Sequence, residues 1–146
     1  MEIIIKPLTE ELAADYFDFL DNRAFTDNSP WGGCYCTGWQ MTKEQEKTEL
    51  LDKMEEGFSY GDENFVRVLR EIVIRQITSK ALQGYLAYVD GISIGWCNAN
   101  SKANFPLESA NGFRLYAPAQ KKEKAVVCFE ISPQYRAKGV APTFLN

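Results

Sequence analysis

The amino-acid sequence predicts a mixed α/β domain of the α+β type, with a mainly antiparallel sheet flanked by helices. Two strand-like runs are joined by Asp90-Gly91, a pair that favours the type I′ turn of a β-hairpin. Apolar residues recur at spacings of three and four over 62–77, which is typical of a helix that buries one face. Because a two-residue turn makes its strands antiparallel neighbours, we expect a meander and not a parallel sheet.

Length and composition indicate one globular domain over 1–146. The chain has 146 residues, of which 45% are hydrophobic and 13% aromatic, enough to form a core. No stretch approaches the roughly 18 uninterrupted apolar residues of a membrane span, and the amino terminus lacks the order of a secretion signal. We therefore expect a cytoplasmic protein with no membrane partner.

The charge is unevenly distributed along the chain. The formal net charge is −4, but residues 1–64 carry 15 acidic and 5 basic side chains, whereas residues 65–146 carry 5 acidic and 11 basic ones. The basic residues are scattered, and the chain as a whole is acidic. This pattern favours a small anionic ligand over a nucleic acid, although solvated surface charge explains it as well.

The cysteine and histidine content excludes several chemistries. The chain has four cysteines and no histidine, and Cys34 and Cys36 are too close together for the usual zinc knuckle. Cys97 and Cys128 fall in strand-like runs, where cysteine often acts as a small hydrophobic residue. We expect reduced thiols and no metal site, so that acid–base chemistry depends on carboxylates, tyrosines, cysteines, lysines or water.

The first half of the chain predicts a strand, a helix and an aromatic loop. A β-branched run over 2–6 ends at Pro7, and Thr9 is placed to cap a helix that contains Tyr16. The segment TDNSPWGGCYCTGWQ then combines turn residues with Trp31, Tyr35 and Trp39. Either these aromatic side chains fill the end of the core, or they form the wall of a substrate pocket.

Two helices are expected next. Thr42 and Gln45 form a capping box, which predicts a surface helix over 42–56, with an ion pair between Glu49 and Lys53 and a cap at Gly57. A second helix begins after Asp62 and packs on the sheet. The residues expected on its buried face are Phe65, Val66, Leu69, Ile72, Val73, Gln76 and Ile77.

The second half predicts three strands and a glycine turn. The hairpin strands cover 84–89 and 92–99, and a long polar connection over 100–124 leads to a last apolar strand over 125–131. Pro133 ends that strand. Gly139 then offers a position where backbone N–H groups could face an anion, although a plain loop before a helix explains the same residues.

The segment VVCFEISPQYRAKGVA resembles the signature of the GNAT superfamily of acyl-CoA-dependent N-acetyltransferases. The family motif, Arg/Gln-x-x-Gly-x-Gly/Ala after the fourth strand, corresponds here to RAKGVA. The order of strands and helices, including the hairpin GYLAYVDGISIGWCNA, is similar over nearly the whole chain. The resemblance implies a GNAT-like fold and acetyl-CoA as cosubstrate.

The resemblance also implies roles for individual residues. The pyrophosphate of CoA would lie on the backbone N–H groups of the motif and at the positive end of the next helix, with the basic side chains adding charged contacts. The pantetheine arm would pair with the exposed backbone of the fourth strand. The cofactor-binding set is thus Phe129, Ile131, Arg136, Ala137, Lys138, Gly139, Val140 and Ala141.

Glu130 is the predicted catalytic residue. Strand alternation separates it from Phe129 and Ile131, so that a charged group emerges from an apolar strand. Burial beside the acyl group would raise its pKa and make it a base for the incoming amine. A carboxylate that points to solvent at a strand end is the alternative. Trp31, Tyr35 and Trp96 are the candidates for binding the amine, whether small molecule or protein.

Members of the GNAT superfamily continue past this motif with further helices and strands, whereas the present sequence stops after APTFLN. We therefore expect a truncated GNAT-like domain that lacks the carboxyl-terminal elements. Its last strand would be an open apolar edge, which predicts a homodimer. Two functions remain open: an N-acetyltransferase that acts by direct attack in a ternary complex, and an inactive remnant that serves as a dimeric binding module.

Overall fold

The computed structural model describes residues 1–29, 34–115 and 123–146 of the chain. It has mixed α+β architecture, as the sequence predicts. The strands are β1 (Ile4–Pro7), β2 (Gly84–Val89), β3 (Ile92–Ser101) and β4 (Lys124–Ile131). The helices are α1 (Ala13–Asn22), α2 (Lys43–Glu49), α3 (Glu63–Thr78) and α4 (Val140–Thr143).

The four strands form one sheet in the order β1-β2-β3-β4. Strand β2 pairs antiparallel with β1 and with β3. The Ser132 N–H donates to the carbonyl of Ile94 at 2.9 Å, and at the other end of β3 the Lys102 N–H donates to the carbonyl of Glu123 at 2.7 Å. Strands β3 and β4 therefore also run in opposite directions, and β4 lies at an edge of this sheet.

The β2–β3 hairpin forms as predicted. Asp90 and Gly91 have φ values of +50° and +77°, which are the left-handed conformations that a type I′ turn requires. The pairing shifts between Ala87 and Tyr88, where the ladder is irregular. At Gly84, a Cβ atom would collide with the carbonyl of Cys97 and the ring of Trp96, so only glycine fits at that point of the sheet.

The described chain divides into two compact units. The first unit contains Met1–Cys34, Gln83–Ala99 and Val126–Asn146, so it holds β1, β2, α1, α4 and most of the other two strands. Within it, the Tyr16 ring meets the Trp96 ring edge-on at 4.9 Å. A buried apolar cluster links the sheet to α4 and comprises Ala87, Val89, Ile94, Cys97, Val140 and Phe144.

The second unit contains Tyr35–Leu82 and Asn100–Ala125, and α3 is its longest helix. The amphipathic face of α3 is close to the prediction, except that Val68 is buried and Val66 is only half-buried. The buried side chain of Gln76 accepts a hydrogen bond from Gln40 Nε2 at 3.0 Å. A buried amide therefore has a polar partner, which removes most of the cost of its burial.

Three local expectations differ from the structure. The capping box of Thr42 and Gln45 is present, but the predicted helix ends at Glu49, because Leu50 is buried with φ of −123° and a 3₁₀ turn follows. Glu49 is expected to pair with Lys53, but its carboxylate lies 3.7 Å from the Arg75 guanidinium instead. At the first helix, Thr9 makes no side-chain cap, and a 3₁₀ turn precedes α1.

The connection expected over 100–124 contains more order than the sequence suggests. Strand β3 continues to Ser101, a 3₁₀ turn covers Lys102–Asn104, and Glu108 bridges to Arg114. The Asn100 side chain explains part of the difference, since it donates to the carbonyl of Ala81 and accepts from the side chain of Asn104. Buried polar side chains with partners extend a strand where composition alone indicates a loop.

Candidate functional site

The candidate site begins on strand β4, whose outer edge pairs with no other strand in the part of the chain that the structure describes. Its side chains alternate between the two faces of the sheet. Phe129 is 37% exposed and its ring lies 5.8 Å from that of Phe144 in the first unit. Ile131 packs against the buried cluster of that unit. One face of β4 is therefore anchored, while its edge offers backbone groups for pairing.

A tight turn follows β4 and leads to α4. Ser132 is fully buried and ties the strand end to β3, and a 3₁₀ turn over Pro133–Tyr135 reverses the chain. Ala137 and Gly139 then adopt positive φ, at +57° and +83°. Alternation of left- and right-handed residues turns successive backbone N–H groups toward one side, which is the geometry of an anion-binding concavity. We call residues 136–141 the anion turn.

Open space lies beside the glycine of the anion turn. Residues 136–139 form a hydrogen-bonded turn that leads into α4. A Cβ atom placed on Gly139 would meet no atom within 4 Å, so the space beside this glycine is open. Backbone N–H groups of a turn that borders open space can donate to an oxyanion.

Helix α4 adds less than the sequence suggests. It has only four residues, and the Thr143 hydroxyl donates to the carbonyl of Gly139 at 2.7 Å. The macrodipole depends on aligned peptide units, so one turn contributes little positive potential. Attraction for an anion therefore comes mainly from the turn's own N–H groups and from Lys138, whose side chain is exposed with Nζ 6.0 Å from the centre of the Tyr135 ring.

The Glu130 carboxyl lies just before the anion turn on β4 and is half-buried. Burial raises its pKa above the usual range, the nearby Arg136 guanidinium opposes that shift, and the Asp27 carboxylate adds to it. Burial is the largest of the three effects. A carboxyl group with a raised pKa in a strand beside an anion site has the properties of a general base.

Arg136 is held in place by two hydrogen bonds. Its Nε donates to the carbonyl of Ile131 at 3.0 Å, and one terminal nitrogen donates to the Asp27 carboxylate at 2.6 Å. The guanidinium beside Asp27 holds the pKa of that carboxyl below its usual range. Asp27 is the residue of this site that the sequence analysis did not find, because 109 positions separate it from Arg136.

The Cys97 thiol is not suited to nucleophilic chemistry. The side chain is 1% exposed, and burial together with the neighbouring Cys128 raises its pKa to about 11. A thiol with that pKa stays protonated near neutral pH, and the thiol form is a poor nucleophile. Carboxyl chemistry at Glu130 is therefore the better candidate in this part of the sheet.

The residues predicted to bind the amine belong to different units. Trp96 is fully buried against Tyr16 in the first unit. Tyr35 belongs to the second unit, is 3% exposed and receives a 3.4 Å hydrogen bond from Arg70. Trp31 lies outside the described residues. The arrangement brings together Glu130, the end of β4 and the anion turn, whereas an acceptor site built from these aromatic residues stays a prediction.

Comparison with solved structures gives matches that span 99% of this chain. A GCN5-related N-acetyltransferase from Ralstonia eutropha is 8% identical, with 72% of its chain covered and a TM-score of 0.48. The aminoglycoside antibiotic 6'-N-acetyltransferase of Acinetobacter baumannii is 13% identical, with 67% covered and a TM-score of 0.49. An N-acetyltransferase from Thermoplasma acidophilum, in complex with coenzyme A, is 14% identical, with 68% covered and a TM-score of 0.46.

Each of these three structures is named as an N-acetyltransferase, and each match has a TM-score below 0.5. No protein-family model matches the chain, and no curated protein matches it. Among the described residues, no helix is long and apolar enough to cross a membrane. The assignment of function therefore depends on the geometry of β4 and the anion turn.

Proposed function

We propose that the chain binds acetyl-CoA through the anion turn and β4, and that it catalyses transfer of the acetyl group to a primary amine. The observation that carries the proposal is the turn after β4, in which Ala137 and Gly139 have positive φ and open space lies beside Gly139. A pyrophosphate supplies several oxygen acceptors at the spacing of such donors. Lys138 supplies a point charge for the same group.

Strand β4 supports the second half of the binding site. Its open edge offers backbone N–H and C=O groups to an extended chain that contains amides, and the pantetheine arm is a chain of that kind. The side chains at this end of β4 keep the edge accessible, since Phe129 and Ile131 pack toward Phe144 and the buried cluster. Strand addition by the ligand would direct its acyl end along β4.

Glu130 is the proposed general base. Acetyl-CoA supplies an activated acyl group as a thioester. The half-buried carboxylate of Glu130 takes a proton from the ammonium group of the acceptor, directly or through a water molecule, and the amine nitrogen then has a lone pair for the new C–N bond. The C–S bond breaks and the thiolate leaves with the bonding electrons. The acylated nitrogen loses its second proton to the thiolate or to solvent, which gives the neutral amide and the CoA thiol or thiolate. A raised pKa makes the carboxylate a stronger base for this proton transfer.

Calorimetry with acetyl-CoA tests the proposal. We expect binding with micromolar affinity, and the absence of heat at millimolar ligand would overturn it. The variant Glu130→Gln should retain this affinity and lose acetyl transfer by roughly 10²- to 10⁴-fold, because the amide cannot accept the proton. A matched control, Glu108→Gln, removes a carboxylate that pairs with Arg114 on the exposed surface, and it should leave both quantities unchanged.

Because Glu130 acts only when it is deprotonated, kcat/KM should fall as the pH drops through its raised pKa. This acid limb should be absent from the residual activity of Glu130→Gln. An acid limb of unchanged position in that variant would assign the general base to another group.

The open edge of β4 also supports a second candidate, a dimeric binding module without transferase activity. Val126 and Phe129 are 45% and 37% exposed on opposite faces of this strand, so an exposed apolar side chain flanks the unpaired backbone on each face. A dimer that gives no heat with acetyl-CoA would favour this second candidate.

A further inference from the structure

The contact between Asp27 and Arg136 joins two distant parts of the first unit. Asp27 follows helix α1, and its carboxylate accepts the 2.6 Å hydrogen bond from the guanidinium at the start of the anion turn. The same guanidinium is bonded through Nε to the carbonyl of Ile131. These two hydrogen bonds fix the Arg136 side chain beside Ile131, the residue that follows Glu130.

This position places a permanent positive charge next to the proposed base. An isolated guanidinium beside a half-buried carboxyl group stabilises the carboxylate and weakens it as a base. Asp27 contacts the same guanidinium with the opposite charge and therefore offsets it. The charged groups that act on Glu130 are Arg136 from the anion turn and Asp27 from the segment after α1, and their effects oppose one another.

We propose that Asp27 is a positioning residue for Glu130: it fixes the Arg136 guanidinium against the end of β4 and neutralises its charge, so that Glu130 keeps its proton affinity. The inference rests on the proposed function in taking Glu130 as the base. It goes beyond that function by assigning a role to a side chain outside the strand and the anion turn. The contact itself is a partly exposed ion pair, with 44% and 36% of the two side chains accessible.

A purely structural ion pair would have a different signature. Exposed pairs typically contribute little to the free energy of unfolding, and a pair that is distant from Glu130 has no effect on its protonation. The proposed role predicts a change at Glu130 itself. The pair formed by Asp18 and Arg23 is a matched control, because it has the same 2.6 Å length and lies in the same unit.

The first measurement is the pKa of Glu130 by NMR titration of its carboxyl ¹³C signal in the full chain. Asp27→Asn should lower it, because the charge of Arg136 is no longer offset, and Arg136→Gln should raise it. The double variant should fall between the two single variants. Asp18→Asn should leave the pKa at the wild-type value.

The proposal is overturned when the Glu130 pKa of Asp27→Asn equals that of Asp18→Asn. This measurement requires neither acetyl-CoA nor activity, so it remains decisive when calorimetry shows no ligand binding and the proposed function fails. The two pKa values are compared only when the circular dichroism spectrum shows that the Asp27→Asn chain is folded. If Asp27→Asn does not fold, the Arg136→Gln variant provides the test. A Glu130 pKa in that variant equal to the wild-type value also contradicts the proposal.

The second measurement is the pH profile of acetyl transfer. In Asp27→Asn the acid limb of kcat/KM should move to lower pH and kcat should fall, because a weaker base transfers the proton less efficiently. The KM for acetyl-CoA should not increase, since the N–H groups of the anion turn are retained. A profile that matches wild type, together with a lowered Glu130 pKa, would restrict the role of Asp27 to electrostatics and contradict a role of Glu130 as base.

Discussion

Gly139 has a backbone conformation that a side chain would oppose. Its φ is +83°, whereas its surroundings leave room for a Cβ atom. The constraint is therefore conformational and not a collision. Replacement by alanine should cost about 1–2 kcal/mol of conformational energy if the turn keeps its shape, or should release the turn into a different one.

We predict that Gly139→Ala lowers the affinity for acetyl-CoA, because the N–H groups of the anion turn lose their common orientation. Gly57→Ala is the control, since Gly57 has φ of +80° and also leaves open space, but lies in the second unit. Both variants should lose similar stability in urea unfolding. Equal loss of ligand affinity in the two variants, measured by calorimetry, would contradict the role of the turn.

At the scale of elements, strand β4 combines an open edge with exposed apolar side chains. Natural sheets usually protect such edges, because unpaired backbone groups invite pairing with another chain. An open apolar edge predicts a homodimer, and we propose that two β4 edges pair. The same edge is the one that we assign to pantetheine, so ligand and second chain would compete for it.

We predict that the chain sediments as a dimer at micromolar concentration and that Val126→Lys converts it to a monomer, because a lysine on an edge strand opposes pairing. Ile92→Lys is the control: Ile92 is 52% exposed but lies on β3, which has neighbours on both sides. Acetyl-CoA should shift the wild type toward the monomer. A monomeric wild type, or a monomeric Ile92→Lys variant alone, contradicts pairing through β4.

At the scale of the whole molecule, ion pairs at several points determine how stability varies with pH. Hydrogen bonds from arginines lower the pKa values of Asp18, Asp27 and Glu108. Such groups stabilise the folded state above their unfolded pKa values and lose this contribution as the pH falls through the folded ones. Burial raises the pKa values of Glu46 and Glu130, whose contributions are present at low pH and are lost as the pH rises through their folded values.

We predict that Asp18→Asn lowers the free energy of unfolding at about pH 7 by no more than about 1 kcal/mol, and that its difference from wild type disappears as the pH falls below the folded pKa of Asp18. The reason is that acid protonates Asp18 in the wild type and removes the same interaction with Arg23. Urea unfolding at a series of pH values measures both quantities. A difference that persists at the lowest pH would show that the substitution acts by another route.

The sequence by itself determined the features that depend on neighbouring residues. The Asp90-Gly91 turn follows from the φ values that only a few residue types tolerate, and the capping box at Thr42 follows from two side chains three positions apart. The run before Pro133 and the position of Gly139 specify β4 and the turn after it. Each of these is a local preference, so a single sequence is sufficient to predict it.

Only the tertiary structure decided the features that join distant residues. Burial of Leu50 ended α2 before the periodicity indicated, and polar partners for Asn100 extended β3. Asp27 joined the site because the fold brings the segment after α1 to the start of the anion turn. Burial and long-range ion pairing are properties of the folded chain, and no local pattern records which distant side chains will meet.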